Sequence, residues 1–320
     1  MNSIIAVGEV LIDTVITAGE NLQMTGNAGG APANCLASAA RFGADCGIIA
    51  KAGNDAMGRW LKSYLEAHGI RCEHLLLDDT RNTTMALVSL DAQGERSFSF
   101  YRSGCADVNL RESELPREAI RGAKIFHFGT VSMTEEPARS ATLAAARIAK
   151  EAGVLVSFDP NLRGNLWRSL DDARRHIRLG LALADVVKIS DDELRFVTGL
   201  DSLDAGAAAL LDEFHPSLLC VTCGAAGCVC YASAFTARCG GFSVPVVDTT
   251  GAGDAFDGAV LYQLLKLDCR LDRLDMKTLS YLARFACAAG ALATTKLGAI
   301  AAMPTLAQVE ALLAAQSAEN

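Results

Sequence analysis

The sharpest chemical pattern in the chain is Val246-Val-Asp-Thr-Thr-Gly-Ala-Gly-Asp-Ala-Phe256. Its apolar run reads as a strand ending near Asp248, followed by a glycine-rich turn and a helix that starts near Ala252. The backbone amides of Gly251, Ala252 and Gly253 can then point to one spot. The positive end of the helix dipole adds to them, which makes an anion hole suited to a phosphate in transit. Asp254 falls in the first helical turn, where a carboxylate can take a proton from an attacking hydroxyl. A plainer reading fits the same residues: glycine for a tight turn, and aspartate as a favourable charge at a helix start. The pattern lacks the third glycine of G-x-G-x-x-G and the Lys-Ser/Thr of the Walker loop. Asp257 lies one turn further on, away from the glycines, and reads as a bystander.

The elements that must hold this site alternate. Ile4–Val7, Cys46–Ala50, Lys124–Phe128, Val154–Phe158 and Asp185–Ile189 read as strands. Pro32–Phe42, Gly58–His68, Pro137–Ala152 and Asp171–Leu183 read as helices, three of them followed or stopped by glycine. This rhythm predicts an α/β fold with a mainly parallel sheet covered by helices on both faces. Two segments break it. Glu9–Glu20 alternates apolar with polar, and Thr83–Tyr101 predicts a hairpin of Met85–Leu90 and Arg96–Tyr101 around a turn at Asp91–Gly94. Arg96, Phe98 and Phe100 alternate with serines and so share one face. These segments predict a small β-sheet beside the α/β body, placed to act as a lid, or else an extension of the main sheet.

The 320 residues are 51% hydrophobic with only 7 prolines, enough for a large core and unlike a disordered or linker-rich chain. Lys and Arg number 29 against 37 Asp and Glu, a net charge of −8, which argues against nucleic acid or anionic membrane as a partner. Neither a signal peptide nor a transmembrane segment is apparent, so the expected compartment is the cytoplasm. The 11 cysteines are then expected to be reduced. Cys220, Cys223, Cys228, Cys230 and Cys239 cluster in sequence. Cys220 and Cys223 would point to opposite faces of a strand, so they read as small core residues rather than as a metal site.

Asp248-Thr-Thr-Gly-Ala-Gly-Asp254 closely resembles the C-terminal signature of the ribokinase/PfkB carbohydrate kinases. Gly29-Gly-Ala-Pro-Ala-Asn34 with Ala39–Gly43 resembles the N-terminal signature, and Gly53-Asn-Asp-Ala-Met-Gly58 a short Gly-x-Asp-x-x-Gly element between them. Gly8–Asp13, Gly94–Phe100, Phe158–Arg163 and Lys188–Glu193 look most like the fructokinase branch. The resemblance implies one ribokinase-like kinase domain over residues 1–320, with lid segments near 9–30 and 83–104. It implies transfer of phosphate from ATP to a neutral sugar, fructose before aminoimidazole riboside or 2-keto-3-deoxygluconate, and a homodimer joined through the lid.

Residue by residue, the resemblance makes Asp254 the base and Gly251, Ala252 and Gly253 the anion hole. Asp13, Gly29, Gly30 and Asn34 fall on the sugar side, where a carboxylate accepts hydroxyl protons and an amide both donates and accepts. Phe98 and Phe100 are lid candidates for substrate contact. Arg163 suits a phosphate or substrate contact, or a structural salt bridge. Lys188, Ser190 and Glu193 resemble the element that organises Mg²⁺ and phosphate through water, with serine in place of the family's asparagine. Ser190–Glu193 is also a capping box in its own right. Thr222, Gly224 and Gly227 fall on the nucleotide side, as does Cys287, where the family commonly has asparagine. Asp248, Thr250, Ala293 and Gly298 match the surroundings of a monovalent cation such as K⁺.

Overall fold

The computed structural model describes residues 3–17, 21–90, 96–233 and 235–317. The first half of the chain contributes β1 (Ile4–Val7), β2 (Leu11–Thr17), β3 (Gln23–Gly29), α1 (Ala31–Arg41), β4 (Cys46–Gly53), α2 (Ala56–Ala67), β5 (Ile70–Asp78), β6 (Met85–Leu90), β7 (Arg96–Tyr101), α3 (Arg117–Arg121), β8 (Ile125–Gly129), α4 (Ala138–Glu151) and β9 (Leu155–Asp159). The second half adds α5 (Leu170–Leu181), β10 (Val186–Ser190), α6 (Asp191–Thr198), α7 (Leu203–Phe214), β11 (Leu218–Thr222), β12 (Cys228–Ala232), β13 (Phe235–Cys239), α8 (Ala252–Lys266), α9 (Met276–Ala293), α10 (Ala299–Ala302) and α11 (Leu306–Ser317).

A nine-stranded sheet runs in the order β13-β12-β11-β10-β9-β8-β1-β4-β5. Its strands from β11 to β5 pair in parallel, and β12 and β13 add an antiparallel edge. Period-2 alternation explains why both faces are covered. Ile4 and Ala6 of β1 enter one apolar cluster with α1, α8 and α9. Ile5 and Val7 enter a second cluster with α4, α5 and α7 on the opposite face. The expected α/β architecture is therefore present, with element ends shifted by a few residues. The helix expected from Gly58 starts at Ala56 because the Asp55 side chain caps it, accepting from the Gly58 amide at 2.8 Å.

The remaining strands form a separate sheet in the order β3-β2-β6-β7, and not an extension of the main one. β2 pairs antiparallel with β3 and parallel with β6, and β6 and β7 form the expected hairpin with Met85 opposite Tyr101. The turn expected at Asp91–Gly94 lies outside the described residues, as do the side chains of Arg96 and Phe98. Asp55 also pins the start of the hairpin segment, accepting from the Thr83 amide and hydroxyl, each at 2.8 Å. A methyl group on Gly58 would sit 1.9 Å from the Gly53 carbonyl, so the Gly-x-Asp-x-x-Gly element is a compact hinge between α2 and the smaller sheet.

No helix among the described residues is long and apolar enough to cross a membrane. All eleven cysteines are free thiols. Of the five in the 220–239 stretch, Cys220, Cys228 and Cys230 are buried core residues whose sulfurs adjoin one another. Antiparallel pairing of β11 with β12 brings the Cys220 and Cys230 sulfurs to 3.2 Å, Cys228 lies 3.8 Å from Cys230, and Cys287 of α9 lies 3.4 Å from Cys228.

Candidate active site

Strand order reverses around β1, which lies between β4 and β8. Connections that leave β1 and its neighbours in opposite directions open a crevice at the carboxyl ends of the strands, where α/β sheets bind ligands. Two cavities occupy it. The first, about 530 Å³, is walled by the smaller sheet (Leu11, Asp13, Phe100), the start of α1 (Gly30, Asn34), the segments after β9 and β10 (Asn161, Arg163, Ser190, Glu193) and the turn before α8 (Thr249, Thr250, Gly251, Gly253, Asp254). The second, about 260 Å³, is lined by Thr222, Gly224, Gly227, Phe242, Val244, Val246, Ala252, Cys287 and neighbours. Thr249 and Gly253 belong to both.

Asp254 lines the first cavity, directly after the shared Gly253. Gly251 caps α8 at φ 78°, a conformation glycine adopts without strain, and a methyl there would meet Ala299 at 2.8 Å. The Asp254 carboxylate accepts from Asn34 Nδ2 at 2.8 Å and from Asn161 Nδ2 at 3.1 Å. Burial and the nearby Asp159 push its pKa up to about 6, against the Asn34 hydrogen bond and the positive charges of Lys188 and Arg163. It therefore remains ionised at neutral pH yet is basic enough to draw a proton. The first amides of a helix have no intrahelical acceptor. The Ala252 amide turns to the Thr249 carbonyl at 3.3 Å, a long contact, and the Ala255 amide bonds the Gly251 carbonyl at 2.8 Å.

Lys188 reaches this turn from β10. Its Nζ lies 3.0 Å from Asp159 Oδ2, and 3.1 Å from where a Gly253 methyl would stand. Burial opposes the ammonium, but the carboxylates of Asp159, Glu193 and Asp257 outweigh it and hold its pKa above the ordinary lysine range. Glu193 has both oxygens engaged: Oε1 accepts from the Leu162 amide at 2.7 Å, and Oε2 from the Ser190 amide and hydroxyl at 2.9 and 3.0 Å. The capping box thus also anchors the segment that carries Asn161 and Arg163. Arg163 is exposed, lines the first cavity and makes no salt bridge among the described residues.

On the opposite wall Asp13 faces Gly29 so closely that a methyl on Gly29 would lie 2.0 Å from Asp13 Oδ2. Burial pushes the Asp13 pKa up to about 6, partly offset by Arg163 and reinforced by Asp254 and Asp248. Asp248 accepts from the Thr250 amide and hydroxyl at 2.9 and 2.7 Å and from the Gly298 amide at 3.2 Å. Asp248, Thr250 and Gly298 therefore come together. Ala293 ends α9, fully buried, beside Thr294, whose carbonyl accepts the Val247 and Asp248 amides.

Most of the sequence-predicted residues line one of the two cavities; Gly29, Asp248, Ala293 and Gly298 line neither, and the side chain of Phe98 is outside the described ones. Two wall residues escaped the sequence reading. Asn161, inside the quoted Phe158–Arg163 stretch, adopts φ 45° and turns its amide to Asp254. Glu9, beside Gly8, is buried and accepts the Ala31 amide at 2.9 Å, and burial raises its pKa to about 7. Asp257 lines neither cavity, as expected of a residue away from the glycine turn, but its burial was not foreseen. It is 1% exposed, and neither carboxylate oxygen has a hydrogen-bond partner.

The model of the pfkB family carbohydrate kinases matches residues 1–306. Fructokinase-2 of Solanum lycopersicum is 43% identical over 317 residues, covering 97% of this chain and 95% of that protein. Among solved structures, a fructokinase with bound ATP from Xylella fastidiosa superposes with a TM-score of 0.91 at 34% identity, covering 99% of this chain and 100% of that one. A double-mutant fructokinase from Vibrio cholerae O395, in fructose-, ADP- and potassium-bound form, gives 0.87 at 33%, covering 98% and 99%. The chain belongs to the PfkB family and is a carbohydrate kinase.

Proposed function

We propose that this kinase phosphorylates fructose from ATP, with Asp254 as general base. The observation that carries the reading is the position of Asp254 in the wall of the first cavity, next in the chain to Gly253, which both cavities share, and held by Asn34 and Asn161. A sugar in the first cavity presents a hydroxyl to the carboxylate, and a nucleotide in the second presents its terminal phosphate across Gly253. Asp254 takes the hydroxyl proton as the oxygen attacks. The Gly251 and Gly253 amides, the α8 dipole and the Lys188 ammonium meet the charge on the moving phosphoryl group. Asp13 accepts sugar hydroxyls. The smaller sheet closes over the sugar as a lid, with Phe100 on its inner wall, and keeps water from the phosphate.

Mg²⁺ fits the oxygen donors at this wall through water, because Glu193 spends both oxygens on protein hydrogen bonds. When bound it neutralises phosphate charge. K⁺ fits the Asp248–Thr250–Gly298 junction, a reading supported by the potassium-bound relative. Glycines and apolar side chains suit an adenine slot, with Cys287 as part of its wall. Half-exposed Met24 and Tyr101 on the smaller sheet support a homodimer joined through it. Eleven unpaired thiols support a reducing, cytoplasmic setting.

The test is an ADP-release assay over fructose, ribose, 2-keto-3-deoxygluconate and aminoimidazole riboside. Fructose should give the highest kcat/KM. A preference for the acid sugar of more than about tenfold, some 1.4 kcal/mol, would overturn the role given to Asp13.

A further inference from the structure

Behind Asp254, on the side away from both cavities, three side chains of different chemistry converge. Cys35 comes from α1, His127 from β8 and Asp257 from α8, and all three are buried. One donor atom from each lies within 4.8 Å of the other two, the only such group of three or more among the described residues. His127 Nδ1 lies 3.7 Å from Asp257 Oδ2. Ligand atoms around a tetrahedral ion with bonds of about 2.0–2.3 Å stand roughly 3.3–3.7 Å apart. That pair is therefore already at the spacing such an ion requires, and the third donor, within 4.8 Å, would close on it when the ion binds.

A second observation points to a ligand. Asp257 is 1% exposed, yet both of its oxygens lack a hydrogen-bond partner. A buried carboxylate without partners is costly and needs either a proton or a cation. Lys188 is the nearest buried ammonium, but it is committed to Asp159 at 3.0 Å.

We propose that Cys35, His127 and Asp257 form a structural site for a borderline-soft divalent ion of the Zn²⁺ class, distinct from any metal that accompanies the nucleotide. The sulfur, nitrogen and oxygen donor set selects such an ion over Mg²⁺. Charge favours it too: a thiolate, a carboxylate and a neutral imidazole around a dication sum to zero, which is what a dry core tolerates. Binding expels the thiol proton, and the carboxyl proton if present, to solvent. Ser157 Oγ lies 3.2 Å from His127 Nδ1, beside the group. The ion would tie α1, α8 and β8 together one turn below the base. Cys35 directly follows Asn34, whose amide holds Asp254.

The site is closed, so metal must enter as the chain folds. The full-length protein is therefore grown in minimal medium with Co²⁺ replacing Zn²⁺, then dialysed against EDTA. Elemental analysis should find about one ion per chain, with the visible bands of tetrahedral Co²⁺ and a thiolate-to-cobalt absorption. Cys35→Val should abolish that absorption, whereas Cys228→Ser, in the separate row of sulfurs, should leave it intact. Asp257→Asn gives a second test should Cys35→Val fold poorly, and circular dichroism checks both. Less than about half an ion in the wild type overturns the proposal, as does a sulfur signal that survives Cys35→Val and vanishes with Cys228→Ser.

Discussion

Asp254 gathers the amides of Asn34 and Asn161, the charge of Lys188 and the turn at Gly251 onto one carboxylate, so a single atom change there is informative. Asp254→Asn should fold and bind sugar but lose about 10²–10⁴-fold in kcat, read from single-substrate kinetics. A variant keeping more than about a tenth of wild-type kcat would falsify the base assignment. In the proposed mechanism the ionised form is the active one, and burial has raised its pKa to about 6. The rate should therefore climb as pH rises through 6 and level off above 7, with the lower limb set jointly with Asp13, also near 6. Asp13→Ala should raise the sugar KM strongly and leave the ATP KM unchanged; a shift in the ATP KM instead would move Asp13 off the sugar side. Asp254, Asp13 and the glycine turn were legible because each lies in a short motif whose residue types have few other uses together. Asn161 and Glu9 were not, since their importance comes from a left-handed backbone and from a long-range contact with the start of α1. The burial of Asp257 was hidden for a related reason: α8 is buried nearly all round, and spacing along one helix does not reveal what the neighbouring elements press against it.

At the scale of elements, the smaller sheet is held to the α/β body by few but specific contacts. Asp55 supplies three hydrogen bonds at one point, to the Gly58 amide and to the amide and hydroxyl of Thr83. Asp55→Ala should cost about 1–2 kcal/mol, measured by urea unfolding, and raise the sugar KM more than the ATP KM. Equal changes in both KM values would show that this hinge does not govern the sheet over the sugar. The sheet was only half legible beforehand. Its hairpin announced itself through serines alternating with large residues between Arg96 and Tyr101. Its pairing with β2 is parallel and joins residues some seventy positions apart, such as Asp13 with Ala86, which local pattern does not encode. The same limit hid the row of sulfurs: the register of β11 against β12 sets Cys220 opposite Cys230, and α9 then adds Cys287.

Across the whole molecule, the site holds carboxylates that the fold would rather keep protonated. For each of them the folded pKa lies above the unfolded one, so the unfolded chain binds fewer protons between those values and stability falls as pH rises through them. Asp254 spans about 4 to about 6 in this way. Relative to wild type, Asp254→Asn should therefore gain stability between pH 4 and 7, by on the order of 2 kcal/mol, visible in paired melting curves. A constant offset across that range would mean that burial does not strain this carboxylate. Association is tested by sedimentation: Tyr101→Arg should shift the proposed dimer toward monomer, and an unchanged mass would leave the smaller sheet as a lid alone. The two cavities share only Thr249 and Gly253 in their walls. A synthetic molecule that joins a sugar to a nucleoside through a chain of phosphates could thread this neck and fill both at once. Once one end is seated, the other searches a volume of a few nanometres at millimolar effective concentration, so such a tether should bind about 10²–10⁴ times more tightly than either half. The neck thereby becomes a ruler, because the number of phosphates that gives the tightest inhibitor measures the span over which the phosphoryl group travels.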